Sequence, residues 1–240
     1  MTSIVHLQRA NHGSHFRAYG LRGVGDLINP FIGVDHAWMS APTFPPHSHA
    51  GFSAVSYLFL DSETGIRNRD SLGSNNLIRP GGLHWAMAGS GIVHEEFPDE
   101  AGKTVHSLQI FVNLSRDLQG NAPFALTLEP QNVPVILSAG VKVRVPLGSY
   151  GGVSSPLSPP TNVDLLDISL EDGAELIIPV AAGNCVFVMP IFGTVDVDGL
   201  RFDHDGLKIP VFKAQKTMHT STLRAPTGAA KVMFFGGVPL

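Results

Sequence analysis

The chain has 240 residues, 43% of them hydrophobic, with 16 basic against 20 acidic side chains for a net charge of −4. That much apolar chain builds one large or two ordinary domains without disulfide staples, which excludes a mini-protein, and the lack of a basic window removes the electrostatic drive for binding a phosphate backbone. Charged residues are only 15% of the chain, while 26 Gly and 18 Pro favour compact, turn-rich β-structure over long helices or disorder, so the expected class is all-β.

In chain order, residues 1–9 lack the basic start and apolar run of a secretory signal. The single Cys185 excludes an internal disulfide, a four-cysteine zinc site and a Cys-x-x-Cys redox pair. Both features predict a cytoplasmic protein in a reducing compartment. Strands are predicted at 52–60, 107–114, 141–145, 165–170, 185–191, 193–197 and 231–235, with at most a helical turn at 115–120. Prolines and glycines make 150–160 a long loop or crossover. The uncharged stretch 176–195 has the length of a membrane span, but Pro179, Gly183, Asn184, Pro190 and Gly193 interrupt it. Two buried strands joined by a Gly-Asn turn account for it better, and no membrane partner is expected. The loose likeness of the two halves predicts two β-domains, 1–135 and 136–240.

Six of the eleven histidines fall between residues 36 and 106. In Pro46-His47-Ser48-His49-Ala50-Gly51-Phe52, strand alternation points His47 and His49 to one side, which is half of a metal site. In Gly91-Ile92-Val93-His94-Glu95-Glu96, the same spacing pairs His94 with Glu96 and turns Glu95 away. A lone His-x-His is more often a pair satisfied by backbone carbonyls, but two such pairs after Gly or Pro turns are seldom accidental. His36, His84 and His106 either line a pocket or are hydrogen-bonded in the β-core; Phe44, Trp85 and Met87 either form an apolar wall or are core. No Gly-x-Ser-x-Gly elbow or phosphate loop is present, and Gly23-Val24-Gly25 lacks the third glycine of a dinucleotide fingerprint.

Asn29-Pro30-Phe31, Asp35-His36, the His47 and His94 segments, Asp70-Ser71-Leu72-Gly73, Arg79-Pro80-Gly81-Gly82-Leu83-His84-Trp85 and Leu108-Gln109-Ile110-Phe111-Val112-Asn113-Leu114 together resemble the pirin family of the cupin superfamily, in its shorter form. The resemblance implies a bicupin of two jelly-roll barrels, the first holding one divalent ion on His47, His49, His94 and Glu96. Iron leads, with Mn, Ni, Cu or Zn as alternatives, and four protein ligands on an octahedral ion leave places for substrate and dioxygen. His204, in an acidic turn, and His219, unpaired near a strand start, leave the second domain without a metal site. Three positions depart from the family pattern: Ser53 where cupins carry glutamate, Asn68 where many pirins have histidine, and His84 in place of a common glutamine. The resemblance further implies a dioxygenase of the quercetin 2,3-dioxygenase type, acting on a small planar aromatic substrate with O2, with Glu96 as the catalytic proton acceptor. Its alternative is a non-enzymatic, metal-bearing regulatory protein that modulates a protein partner, a transcription factor or a metabolic enzyme.

Overall fold

The computed structural model describes residues 2–240. Apolar residues alternate with polar ones or run short between Gly and Pro turns, and the backbone is accordingly almost all strand. Among the described residues helix is confined to Gly25–Ile28 and two 3-10 turns, Pro130–Asn132 and His204–Gly206. Residues 115–120 form turns, closed by the Leu118 N–H donating to the Ser115 carbonyl at 2.9 Å. Among the described residues no helix is long and apolar enough to cross a membrane.

Four antiparallel sheets carry the architecture. Phe124–Leu128, Leu83–Met87, Phe52–Leu58, Val105–Asn113, Phe31–Met39, Phe16–Leu21 and Gln8–His12 form one seven-stranded sheet, in that spatial order. It is backed by a four-stranded sheet of His47–His49, Ile92–Pro98, Ile66–Asp70 and Asn75–Ile78. The second half repeats the plan, with a seven-stranded sheet running from Thr2–His6 through Lys208–Phe212, Cys185–Phe192, Ala230–Gly237, Val163–Leu170 and Val141–Leu147 to Val135–Ser138. Its four-stranded partner is Glu175–Val180, His219–Arg224, Thr194–Val197 and Leu200–Asp203. These are the two jelly rolls of a bicupin. Thr2–His6, within the expected 1–135 unit, pairs with the sheet of the second half, Thr2 opposite Phe212 and His6 opposite Lys208. The expected loop at 150–160 also begins with a small ribbon, Ser149–Tyr150 against Val153–Ser154. Gly151 and Gly152 supply the two positive φ angles, 56° and 85°, that such a tight turn needs.

The two seven-stranded sheets pack face to face, and the main core lies between them. Val55, Tyr57, Trp85, Met87, Leu108 and Ile110 of one half meet Leu165, Phe187, Met189, Met233 and Phe235 of the other. The Phe187 and Phe235 rings stack at 4.3 Å. Polar ties cross the same boundary: Tyr57 donates to Asp167 at 2.7 Å, and Arg144 donates to the Gly81 carbonyl at 2.7 Å. The barrels differ inside. Twenty buried apolar residues, among them Val143, Ile168, Val188 and Phe234, fill the second. The first holds a small cluster of Met39, Leu58, Ile66, Ile78 and Val105, and so leaves room for a cavity.

Candidate metal centre

The short strand His47–His49 pairs with Ile92–Pro98, placing His94 opposite His47 and Ile92 opposite His49. Alternation turns His47 and His49 inward together, and the register adds His94. One nitrogen from each of the three imidazoles lies within 4.8 Å of the others. His47 Nδ1 donates to the Pro45 carbonyl at 3.0 Å, which leaves the Nε2 lone pair free. His49 Nε2 and His94 Nε2 stand 3.0 Å apart. Two donors each about 2.1 Å from one ion and at right angles to it would stand about 3.0 Å apart, so the spacing fits a first-row divalent cation. Burial, reinforced by the neighbouring imidazoles, holds His49 and His94 down at about 4, which keeps both neutral and able to ligate at neutral pH. Phe52 and Phe111 pack on the His49 ring at 5.3 and 5.9 Å.

Glu96 lies two residues beyond His94 and faces the same cavity, of about 230 Å³. Its oxygens do not join the three-imidazole group at that spacing. They are held by the Ser56 hydroxyl, which lies 2.9 and 2.8 Å from Oε1 and Oε2 and 3.0 Å from Gln109 Oε1. Burial raises the Glu96 pKa, against the lowering effects of His84, the Ser56 bond and His47. Phe16, Ala37, Met39, Phe44, Ile66 and Phe111 give the cavity apolar walls, with Asp35, Ser107 and Gln109 as further polar groups. Asp35 is paired with Arg22; burial raises its pKa and Arg22 opposes the rise. Glu95 points outward to Arg69 at 3.4 Å, as alternation predicts.

The other sequence candidates separate by strand face. Phe44 lines the cavity. Trp85 and Met87 face the core between the halves, 0% and 1% exposed. His36 and His106 also lie on that side, joined Nε2 to Nε2 at 2.7 Å. His84 belongs to a polar row across the first sheet, Thr127, His84, Ser56, Gln109 and Asp35. It contacts Thr127 Oγ1 at 3.1 Å, and its buried Nε2 has no partner. Asn68 is opposite Glu96 and donates to Asn76 at 2.9 Å. Ser53 is buried and unpartnered on the strand face it shares with Val55, so the residue that touches the carboxylate is Ser56, three positions on. Register across strands, invisible in the sequence, brings in Ser56 and Gln109. In the second half, Asp203, His204 and Asp205 cluster within 4.8 Å in a 3-10 turn, where Asp203 caps the Asp205 N–H and accepts from Thr194.

The pirin family model matches residues 19–112, which include His47, His49, His94 and Glu96. Pirin-like protein 2 of Arabidopsis thaliana is 33% identical over 171 residues, 71% of this chain and 52% of that protein. This chain belongs to the pirin family. It spans about half the length of the curated pirins it matches, as with Pirin-like protein 2. A Pseudomonas aeruginosa protein provisionally named quercetin 2,3-dioxygenase is 28% identical over 228 residues, covering 90% of this pirin and 77% of its own length. Two solved structures share the fold. Quercetin 2,3-dioxygenase from Acinetobacter baumannii superposes with a TM-score of 0.85 at 23% identity, over 99% of this pirin and 86% of its own chain. The bacterial pirin YhhW from Escherichia coli, in complex with nickel(II), does so at 0.76 and 17% identity, over the whole of both chains.

Proposed function

We propose that this pirin is a metal-dependent dioxygenase of the quercetin 2,3-dioxygenase type, cleaving a flavonol-like ring with O2. The observation that carries the reading is the convergence of three imidazoles and a buried carboxylate on one apolar-walled cavity. His47, His49, His94 and Glu96 would hold one divalent ion, with iron the leading choice; the nickel(II) in YhhW supports a divalent site. When bound, the ion supplies Lewis acidity and a path for electrons between substrate and dioxygen.

The chain's own residues do the rest. Phe16, Phe44 and Phe111 clasp a planar ring system and keep water out of the cavity. Glu96 accepts the proton of the substrate's 3-hydroxyl, a role suited to a carboxylate whose pKa burial has raised. Ser56 fixes the carboxylate by its hydroxyl bond, and Gln109 stands beside it to meet a substrate oxygen. The lone Cys185 is buried, and desolvation pushes its pKa up to about 11, which holds it as an unreactive thiol; a chain with no second cysteine to pair with supports a reducing, cytoplasmic compartment.

The test is metal content by mass spectrometry on untagged protein, followed by oxygen uptake with quercetin, for wild type, His47→Ala/His94→Ala and Glu96→Gln. We expect close to stoichiometric metal in the wild type and none in the double variant. Glu96→Gln should keep a measurable share of the metal and lose about 10²-fold or more in turnover. Metal without oxygen uptake by the wild type would sink the dioxygenase and favour a metal-bearing regulatory protein.

A further inference from the structure

A second cavity, of about 460 Å³, opens along the seam between the two seven-stranded sheets. It lies behind the metal cavity, on the opposite face of shared strands. Asp35, Ala37, Ser107 and Gln109 look toward the metal cavity, whereas His36, Trp38 and His106 look into the seam. Clefts between domains are favoured places for small ligands.

The strand register builds one wall. Arg17 and His106 flank Trp38 on neighbouring strands. The Arg17 guanidinium stands 4.0 Å from the centre of the indole, and the His106 ring lies parallel to it, within 9° at 5.0 Å. Arg22, Arg67, Arg69, Arg79 and Arg201 are all ion-paired; among the described residues Arg17 has no carboxylate partner. The other sheet contributes Phe192, 58% exposed although aromatic, and Lys231, whose amino group lies 3.2 Å from the buried Asp167. Asp61, 3.0 Å from His106 Nδ1, and the exposed Asp205 line the same cleft. The cationic form of His36 is disfavoured first by burial and then by His106, Arg17, His204 and Lys231.

We propose that this seam is a second binding site, for a planar aromatic molecule bearing one anionic group, carboxylate or phosphate. The ring packs between Phe192 and the Trp38–His106 pair, and the anion meets the unpaired guanidinium of Arg17 with Lys231 nearby. Arginine suits either oxyanion, because its planar fork binds both in a bidentate manner.

Trp38 supplies the signal for a test, since Trp85, the other tryptophan, is sealed in the core. The full chain is titrated with 4-hydroxybenzoate and, separately, with adenosine monophosphate, reading fluorescence quenching and heat. We expect saturable binding of at least one, with Kd on the order of 0.1–1 mM, the range of a ligand of this size. The ligand that saturates names the source of the anion. Arg17→Ala and Phe192→Ala, both at exposed positions, should each weaken it about tenfold or more at unchanged melting temperature. His47→Ala, at the exposed edge of the metal cavity, should leave it unaltered. No binding of either compound below about 10 mM overturns the proposal. So does binding that survives either seam substitution, or that is lost with His47→Ala.

Discussion

Ser56 shows how a single hydroxyl sets the chemistry of a neighbour. It has one proton and lies within 3.0 Å of three oxygens, two of them on Glu96. Removing it frees the carboxylate to swing within the cavity and strips a bond that favours its charged form. Ser56→Ala should therefore retain metal, lose roughly tenfold in turnover and shift the acid limb of the pH–rate profile upward, which a profile measured beside wild type would check. An unmoved acid limb would remove the positioning role. At this scale the sequence was legible where two-residue spacing does the work: His47, His49, His94 and Glu96 all face one cavity because strands alternate. Ser56, Gln109 and Asp35 were not, because they become neighbours through register between strands far apart in the chain. Ser53 stood at the position where cupins carry glutamate, yet alternation turns it to the other face.

Strands carry two chemistries on two faces, and Phe31–Met39 and Val105–Asn113 are the clearest cases. On the seam side they hold His36 and His106, both with pKa values lowered chiefly by burial. The sign follows. An unfolded histidine takes up its proton near pH 6.5, whereas these folded ones resist it to lower pH. Their contribution to stability is complete above about pH 6.5 and is lost as the pH falls toward their folded values. Melting curves of wild type and His36→Gln/His106→Gln between about pH 7.5 and 5 should converge on the acid side; a constant gap would mean these rings do not titrate on unfolding. Apolar strands such as Cys185–Phe192 and Ala230–Gly237 were predicted within a few residues. Gln8–His12 and Asn75–Ile78 were missed because they are polar edge strands with little to bury. Ile66–Asp70 was missed because its inner face is partly polar, carrying Asn68 beside Glu96.

For the whole molecule, the unequal filling of the barrels explains why one half carries the candidate site. The second barrel is packed with side chains, and its outer sheet serves as the wall on which the first half rests. Residues 136–240 alone would expose Leu165, Phe187, Met189 and Phe235 and leave Lys208–Phe212 as an unpaired edge. That fragment should aggregate when expressed alone and become soluble when co-expressed with residues 1–135, as size-exclusion chromatography would report. A monomeric, cooperatively melting fragment would show that the interface is dispensable. The run of strands in two similar halves was legible in the sequence, but the core shared between their sheets was not, because an apolar strand face looks the same whether it meets its own barrel or its neighbour.

The pairing of Thr2–His6 with Lys208–Phe212 also has a temporal side. During synthesis at about 5–20 residues per second, the early strand emerges roughly 10–40 s before its partner. Throughout that interval it has no edge to join, and the second sheet cannot close. Translation past Phe212 is thus the event that gives the early strand its edge, and the sheet closes only once Ala230–Gly237 has followed to fill the place between Cys185–Phe192 and Val163–Leu170; a nascent chain stalled before Phe212 would keep an open strand for chaperones or proteases to find.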